Sequence, residues 1–97
     1  MTDTEQTQIE AAVYRRLRDH LRAQPDLQNI ELMILADFCR NCLGKWYHAA
    51  AEEIGVEMDA STARDTVYGM PYSAWKEAHQ RPATPEQMTA FEARLKR

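Results

Sequence analysis

Residues that break helices are scarce in this sequence, which has three glycines and four prolines in 97 residues. No stretch of about 18 apolar residues is present, and the N-terminus from Met1 to Gln8 is polar and acidic. Neither a membrane-spanning helix nor a secretory signal is therefore predicted. No segment alternates apolar and polar residues in the manner of a half-buried strand. These absences predict an all-α protein with no sheet and no membrane partner.

Composition and charge narrow the class of protein further. Hydrophobic residues make up 44% of the chain and charged residues 28%, which is the balance of a globular protein. A chain of 97 residues suffices for one domain but not for a second core. The net charge of -3 argues against a nucleic-acid partner, because such domains are normally basic. We expect one compact helical domain over residues 1–97.

The chain has two cysteines, Cys39 and Cys42. They are too close in sequence to join distant parts of the fold, so a structural disulfide is not expected. A reducing compartment fits this pattern. We therefore expect a cytoplasmic protein.

Glycines and prolines mark the ends of the predicted helices. Gly55 and Gly69 are placed to end helices in the left-handed conformation. Thr84, Pro85 and Gln87 combine an N-cap, a first-turn proline and a capping box. The pattern predicts a bundle of about five to six helices. The predicted helical segments cover about 5–23, 27–54, 59–68, 72–80 and 85–96.

The first segment has the pattern of an amphipathic helix. The residues of its apolar face are Ile9, Val13, Leu17 and Leu21. The residues of its opposite face, which we expect to be solvated, are Arg15, Arg18 and Arg22. A turn at Pro25 would form an antiparallel hairpin in which the apolar face approaches residues near Ile30.

The second segment is either one helix or two. Its first part, residues 27–36, is apolar on all sides, which predicts that it lies in the middle of the core. Asp26 is its expected N-cap, and Asp37 can act as the N-cap of a second helix that begins at Phe38. In that case Cys39 would lie at the second helical position, where a helix N-terminus stabilises a thiolate.

Cys39 and Cys42 are three residues apart, so their thiols lie on the same side of a helix. Such a pair can bind one soft metal ion or form a redox pair. A tetrahedral zinc site needs about four Cys, His or carboxylate ligands, and His79 is the candidate third ligand because its helix is separate from the pair. Alternatively, both cysteines are small core residues beside Leu43 and Trp46.

Aromatic residues surround the predicted turn at Gly69 and Pro71. The side chains of tyrosine and tryptophan bury a large aromatic ring, and each carries one polar group that needs a hydrogen-bond partner. This corner is either a lock between two short helices or the wall of a small-anion pocket with two cations as ligands. The candidate pocket residues are Arg64, Tyr68, Tyr72, Trp75 and Lys76.

The sequence contains no complete catalytic signature. It has no phosphate-cradling glycine loop, no Gly-x-Ser-x-Gly turn and no His-Glu-x-x-His motif. It therefore favours a non-catalytic module that binds another protein or forms a homo-oligomer. The alternative is a metal-binding or thiol-redox protein that uses Cys39 and Cys42, with a metal ion as its cofactor.

Two motifs resemble those of a known family. They are Phe38-Cys39-Arg40-Asn41-Cys42 and Val67-Tyr68-Gly69-Met70-Pro71-Tyr72. Over about residues 13–80 the chain resembles the short bacterial proteins of domain-of-unknown-function family 1244. The resemblance implies a compact helical fold and no particular activity, substrate or cofactor. It directs attention to the cysteine pair and the aromatic corner.

Overall fold

The structure, a computed structural model, describes residues 1–96 and contains six α-helices and a final 3-10 turn. No strand is formed within these residues, so the predicted all-α class is confirmed. None of the helices described is long and apolar enough to cross a membrane. The elements are α1 (Asp3–Arg22), α2 (Asn29–Ala36), α3 (Arg40–Glu53), α4 (Ala60–Tyr68), α5 (Tyr72–His79), α6 (Pro85–Ala93) and the 3-10 turn (Arg94–Lys96).

Most helix ends lie where local sequence signals predict them. The Thr84 hydroxyl accepts a hydrogen bond from the Gln87 N–H, and the Gln87 side chain accepts one from the Thr84 N–H. Gly69 ends α4 with a φ of 73°, and Gly55 follows α3 with a φ of 79°. These features depend on adjacent residues alone, and they are confirmed.

Residues 27–54 form two helices, and neither begins at its predicted cap. Asp37 ends α2 in the left-handed conformation, with a φ of 58°, instead of starting the next helix. Aspartate tolerates this conformation better than most residues do. Cys39 is the N-cap residue of α3, and Gln28 replaces Asp26 as the N-cap residue of α2. The predicted N-cap roles of Asp26 and Asp37 are wrong because both residues belong to the turns.

The core lies between α3, α4 and α5 and the inner ends of α1 and α2. Its buried residues are Leu21, Leu32, Cys39, Leu43, Val67, Tyr68 and Trp75. α3 and α4 approach closely at Gly44, where an added Cβ would lie 2.9 Å from the Arg64 Cα. The prediction that residues 27–36 form the middle of the core is wrong. Leu32 is the one buried residue of α2, and this helix packs against α6 at the edge of the bundle.

Most of α1 extends beyond the core. Every residue from 1 to 10 is exposed, and Leu21 is the one buried residue of this helix. The radius of gyration is 15.2 Å, whereas about 13 Å is expected for a compact chain of this length. Of the predicted apolar face of α1, Leu21 packs in the core cluster with Leu32 of α2, whereas Ile9, Val13 and Leu17 lie outside it. The chain after α1 turns around the buried Arg40 side chain, which donates hydrogen bonds to the carbonyls of Leu21, Gln24 and Leu27.

One arginine of the predicted solvated face of α1 makes tertiary contacts. The Arg22 guanidinium donates hydrogen bonds to the carbonyls of Thr66 and Val67, the second at 3.2 Å. These carbonyls lie in the last turn of α4, where a helix leaves its acceptors unpaired. Arg22 therefore joins the end of α1 to the end of α4.

Candidate functional site

The two cysteines lie together at the start of α3. The Cys39 Sγ and the Cys42 Sγ are 3.8 Å apart, and both thiols are free. Cys39 is 7% exposed and Cys42 is partly buried. The predicted proximity of the thiols is therefore present, with one thiol in the core and the other at its edge.

Met33 adds a third sulfur that the sequence interpretation missed. The Cys42 thiol donates a hydrogen bond to the Met33 Sδ, with the two sulfurs 3.9 Å apart. The left-handed turn at Asp37 makes this contact, because it folds the last turn of α2 back onto the first turn of α3. The tolerance of aspartate for that conformation is the signal that could have revealed it. We call Met33, Cys39 and Cys42 the sulfur cluster.

The electrostatics of Cys39 favour the protonated thiol. Burial raises the pKa of the Cys39 thiol and outweighs the backbone N–H groups of Cys42 and Asn41, which lower it. The neighbouring Cys42 sulfur raises the pKa further. A thiol in this setting is a weaker nucleophile than one that is ionised at a helix terminus.

His79 lies beside the core tryptophan. Its ring centre is 5.6 Å from that of Trp75, and its backbone carbonyl accepts a hydrogen bond from the Gln28 side chain at 3.0 Å. Within residues 1–96, no group of three or more His, Cys, Asp or Glu side chains is arranged to hold a metal ion. The structure thus brings Cys39 and Cys42 together without His79.

Arg40, between the two cysteines, is a buried cation whose role the sequence interpretation also missed. It is 2% exposed, and burial lowers the pKa of its guanidinium. The guanidinium donates to the side-chain oxygen of Asn29 at 3.0 Å and lies 5.0 Å from the centre of the Trp75 ring. It also donates to one carbonyl in the last turn of α1 and to two in the turn between α1 and α2. Arg40 is therefore a structural residue.

The aromatic corner consists of Tyr68, Tyr72 and Trp75. The Tyr68 ring centre lies 4.9 Å from that of Trp75 and 5.1 Å from that of Tyr72. The Tyr68 hydroxyl donates to Asn41 at 2.6 Å and accepts from Asn29 at 3.0 Å. Burial raises the pKa of Tyr68 well above its ordinary value. The contacts of this corner pack α4 and α5 together, and the hydrogen bond from Tyr68 to Asn41 joins them to the start of α3.

The two cations of the predicted anion pocket line different cavities. Lys76 and Tyr72 line an open cavity of about 760 Å³. Arg64 lies 4.3 Å from the centre of the Tyr72 ring and lines a separate cavity of about 460 Å³ with Lys45 and His48. Tyr68 and Trp75 are buried in the core.

The third candidate surface is the apolar face of α1. Ile9, Val13 and Leu17, which we call the α1 stripe, are 53%, 64% and 38% exposed. Residues 3–10 carry three acidic side chains and no basic one. Residues 15–22 carry four arginines and one aspartate. The apolar stripe therefore runs along a helix whose first half is acidic and whose second half is basic.

Residues 27–93, well over half of the chain, match the model of a family described as Protein of unknown function (DUF1244). The match confirms the resemblance indicated by the two motifs, over a segment that begins and ends later than residues 13–80. It includes α2 to α6, and hence the sulfur cluster and the aromatic corner, and it begins after α1. A search of curated proteins gave no match.

Proposed function

The chain belongs to the family described as Protein of unknown function (DUF1244), and we propose that it is a non-catalytic helical module that pairs with a second copy of itself through α1. The observation that carries this proposal is the α1 stripe. Its three apolar side chains lie outside the core, on a helix whose first eight residues, 3–10, are all exposed.

The spacing of the α1 stripe suits a helical partner. Residues four apart lie along one side of a helix, so Ile9, Val13 and Leu17 form a line about 12 Å long. Complete burial of such a side chain stabilises by about 1.5–3 kcal/mol. These side chains are 38–64% exposed in the single chain, so a symmetric pair would gain roughly half of that amount for each of six side chains.

The exposed end of α1 is held in a helical conformation before it pairs. Thr2 and Glu5 form a reciprocal capping box at its N-terminus. The exposed part, residues 3–10, is shorter than the roughly 12–15 residues that an isolated helix needs to be stable in water. Pairing would therefore stabilise the helix as well as bury its stripe.

The charges of α1 favour a second copy in the antiparallel orientation. Centred on Val13, this orientation places residues 16–23 of one copy beside residues 3–10 of the other. Arg16 of each helix then lies opposite Glu10 of its partner, which is the charge complementarity that selects partners at interfaces. A parallel pair would set like charges side by side.

If a two-fold axis relates the two copies, the same surface of each copy makes all of these contacts. Such an interface uses the same patch on both copies. Val13 lies at the axis opposite its own copy, and Ile9 lies opposite Leu17. Each apolar residue of the α1 stripe thus has an apolar partner.

Sedimentation equilibrium over a range of protein concentrations tests the proposal. We expect a dimer for the wild type and a monomer for Val13→Asp, which places charges against each other at the axis. Ile54→Asp is the matched control, because Ile54 is 79% exposed at the end of α3 and lies outside the α1 stripe. We expect it to remain dimeric. A monomeric wild type, or equal loss of the dimer in both variants, would exclude pairing through α1.

A cytoplasmic location is part of the same proposal. It is supported by the two free thiols, whose sulfurs lie 3.8 Å apart, because a close pair of this kind is readily oxidised outside a reducing compartment. Alkylation of thiols in intact cells tests it. We expect both cysteines to be trapped in the reduced form, and trapping as a disulfide would argue for an oxidising compartment.

A further inference from the structure

We propose that Met33, Cys39 and Cys42 form a three-sulfur binding site for a soft monovalent metal ion, Cu(I). The three side chains come from two helices and meet at the turn between them. Cys42 is the central member, since its sulfur lies 3.8 Å from that of Cys39 and 3.9 Å from that of Met33.

The two distances suit coordination of one metal ion. A metal–sulfur bond of about 2.3 Å places sulfurs about 3.8–4.0 Å apart in a tetrahedral or trigonal site. The two separations that involve the Cys42 sulfur lie in this range. A disulfide would need the two cysteine sulfurs to come within about 2.05 Å. The cluster can therefore receive a metal ion with less movement than it needs to form a disulfide.

Backbone N–H groups at the start of α3 offset part of the cost of ionising the two thiols. Cys39 is the N-cap residue of α3, and Cys42 lies in its first turn. The unpaired N–H groups of a helix N-terminus stabilise negative charge. Burial opposes ionisation of Cys39, and the backbone N–H groups of Asn41 and Cys42 offset part of that cost. The positive charge of a bound Cu(I) ion would supply the remainder.

The donor set favours Cu(I) over Zn(II). Thiolate and thioether ligands are soft and suit Cu(I), whereas zinc takes four ligands from cysteine, histidine and carboxylate groups. Among residues 1–96, no group of three such side chains is arranged for zinc. A thioether beside two thiolates fits a three-coordinate Cu(I) ion.

Partial burial of the cluster suits a soft ion that must be kept from water and oxygen. Cys39 lies in the core, and Met33 and Cys42 pack at its margin. Phe38, which precedes Cys39 in the turn, also packs against the core and adds an apolar side chain beside the cluster. Cys42 remains partly exposed and offers a route of entry.

Anaerobic titration of the reduced protein with Cu(I), in competition with a chromophoric Cu(I) chelator, tests this site. We expect one Cu(I) per chain, with sulfur-to-copper absorption in the ultraviolet and three sulfur ligands at about 2.3 Å by X-ray absorption. Cys39→Ser combined with Cys42→Ser should abolish binding. Met33→Leu conserves volume and should weaken binding at least tenfold.

Met70→Leu is the matched control, because Met70 also packs against the core but lies outside the sulfur cluster. It should bind Cu(I) as the wild type does. Circular dichroism of each variant shows whether it folds. Binding by the double serine variant, equal affinity in Met33→Leu and the wild type, or preference for Zn(II) in a parallel titration would each overturn the three-sulfur Cu(I) site.

Discussion

The guanidinium of Arg40 lies 5.0 Å from the centre of the Trp75 ring, and this contact joins the start of α3 to the middle of α5. The same guanidinium donates to the carbonyls of Leu21, Gln24 and Leu27. One buried cation therefore organises three parts of the chain. It also sets where α1 leaves the core, and so exposes the α1 stripe.

Replacing this cation should destabilise the fold strongly. Arg40→Met removes the hydrogen bonds from the guanidinium to three backbone carbonyls, and a hydrogen bond to a charged group contributes about 1.5–3 kcal/mol. We expect the free energy of unfolding, measured with urea, to fall by about 3 kcal/mol or more. Arg15→Met, at an exposed position of α1, should change it by less than about 0.5 kcal/mol. Similar values for the two variants would refute the structural role of Arg40.

Tyr68 should make stability fall at alkaline pH. Burial raises the pKa of its hydroxyl in the folded state, whereas the pKa of tyrosine in an unfolded chain is about 10. Above that pH the unfolded state binds fewer protons than the folded state, so stability decreases as pH rises. The contribution is complete below the unfolded pKa and is lost as pH rises toward the folded pKa.

Tyr68→Phe tests this dependence. At neutral pH it should lower the free energy of unfolding by about 1–3 kcal/mol, because Asn29 and Asn41 lose their hydrogen-bond partner. Above about pH 10 its stability should decline less steeply than that of the wild type. Urea unfolding across this range measures both effects. Parallel declines in the two proteins would contradict the assignment to Tyr68.

The proposed dimer should depend on the charges of α1. Arg16 lies about 60° around the helix from Val13, at the border of the stripe. Arg16→Glu should weaken the dimer about tenfold, because exposed ion pairs contribute about 0.2–1 kcal/mol each and the two-fold axis repeats every pair. Salt should weaken the wild-type dimer by screening the same pairs.

Arg15→Glu is the control for the charge prediction. Arg15 lies about 200° from Val13 and so on the far side of α1. Its reversal should leave the dissociation constant, measured by sedimentation equilibrium, closer to that of the wild type. Equal effects of the two reversals would mean that net charge, and not the facing halves of α1, governs association.

Capping residues predicted several of the helix ends from the sequence alone. The capping box at Thr84 and Gln87 and the left-handed glycines at positions 55 and 69 depend on neighbouring residues. Such signals act over one helical turn. They placed the ends of α4 and the start of α6 correctly.

Features that depend on distant contacts were not predictable from the same signals. Periodicity showed that α1 has an apolar face, but it carries no information on what covers that face. Asp37 suits both an N-cap and a left-handed turn, and the choice between them determines whether Met33 meets Cys42. From the sequence alone Arg40 would be assigned to the surface, because the backbone carbonyls that it binds belong to a distant part of the chain.

Disulfide cross-linking through introduced cysteines tests the central claim, antiparallel pairing of α1, most directly. Val13→Cys should form covalent dimers under mild oxidation, since residue 13 faces its own copy at the two-fold axis. Ile9→Cys alone should not cross-link, whereas a mixture of Ile9→Cys and Leu17→Cys should give mixed dimers. The wild-type protein is the control for cross-linking through its native cysteines, Cys39 and Cys42. Cross-linking of Val13→Cys no greater than that of the wild type, or equally efficient cross-linking of Ile9→Cys alone, would contradict the antiparallel dimer.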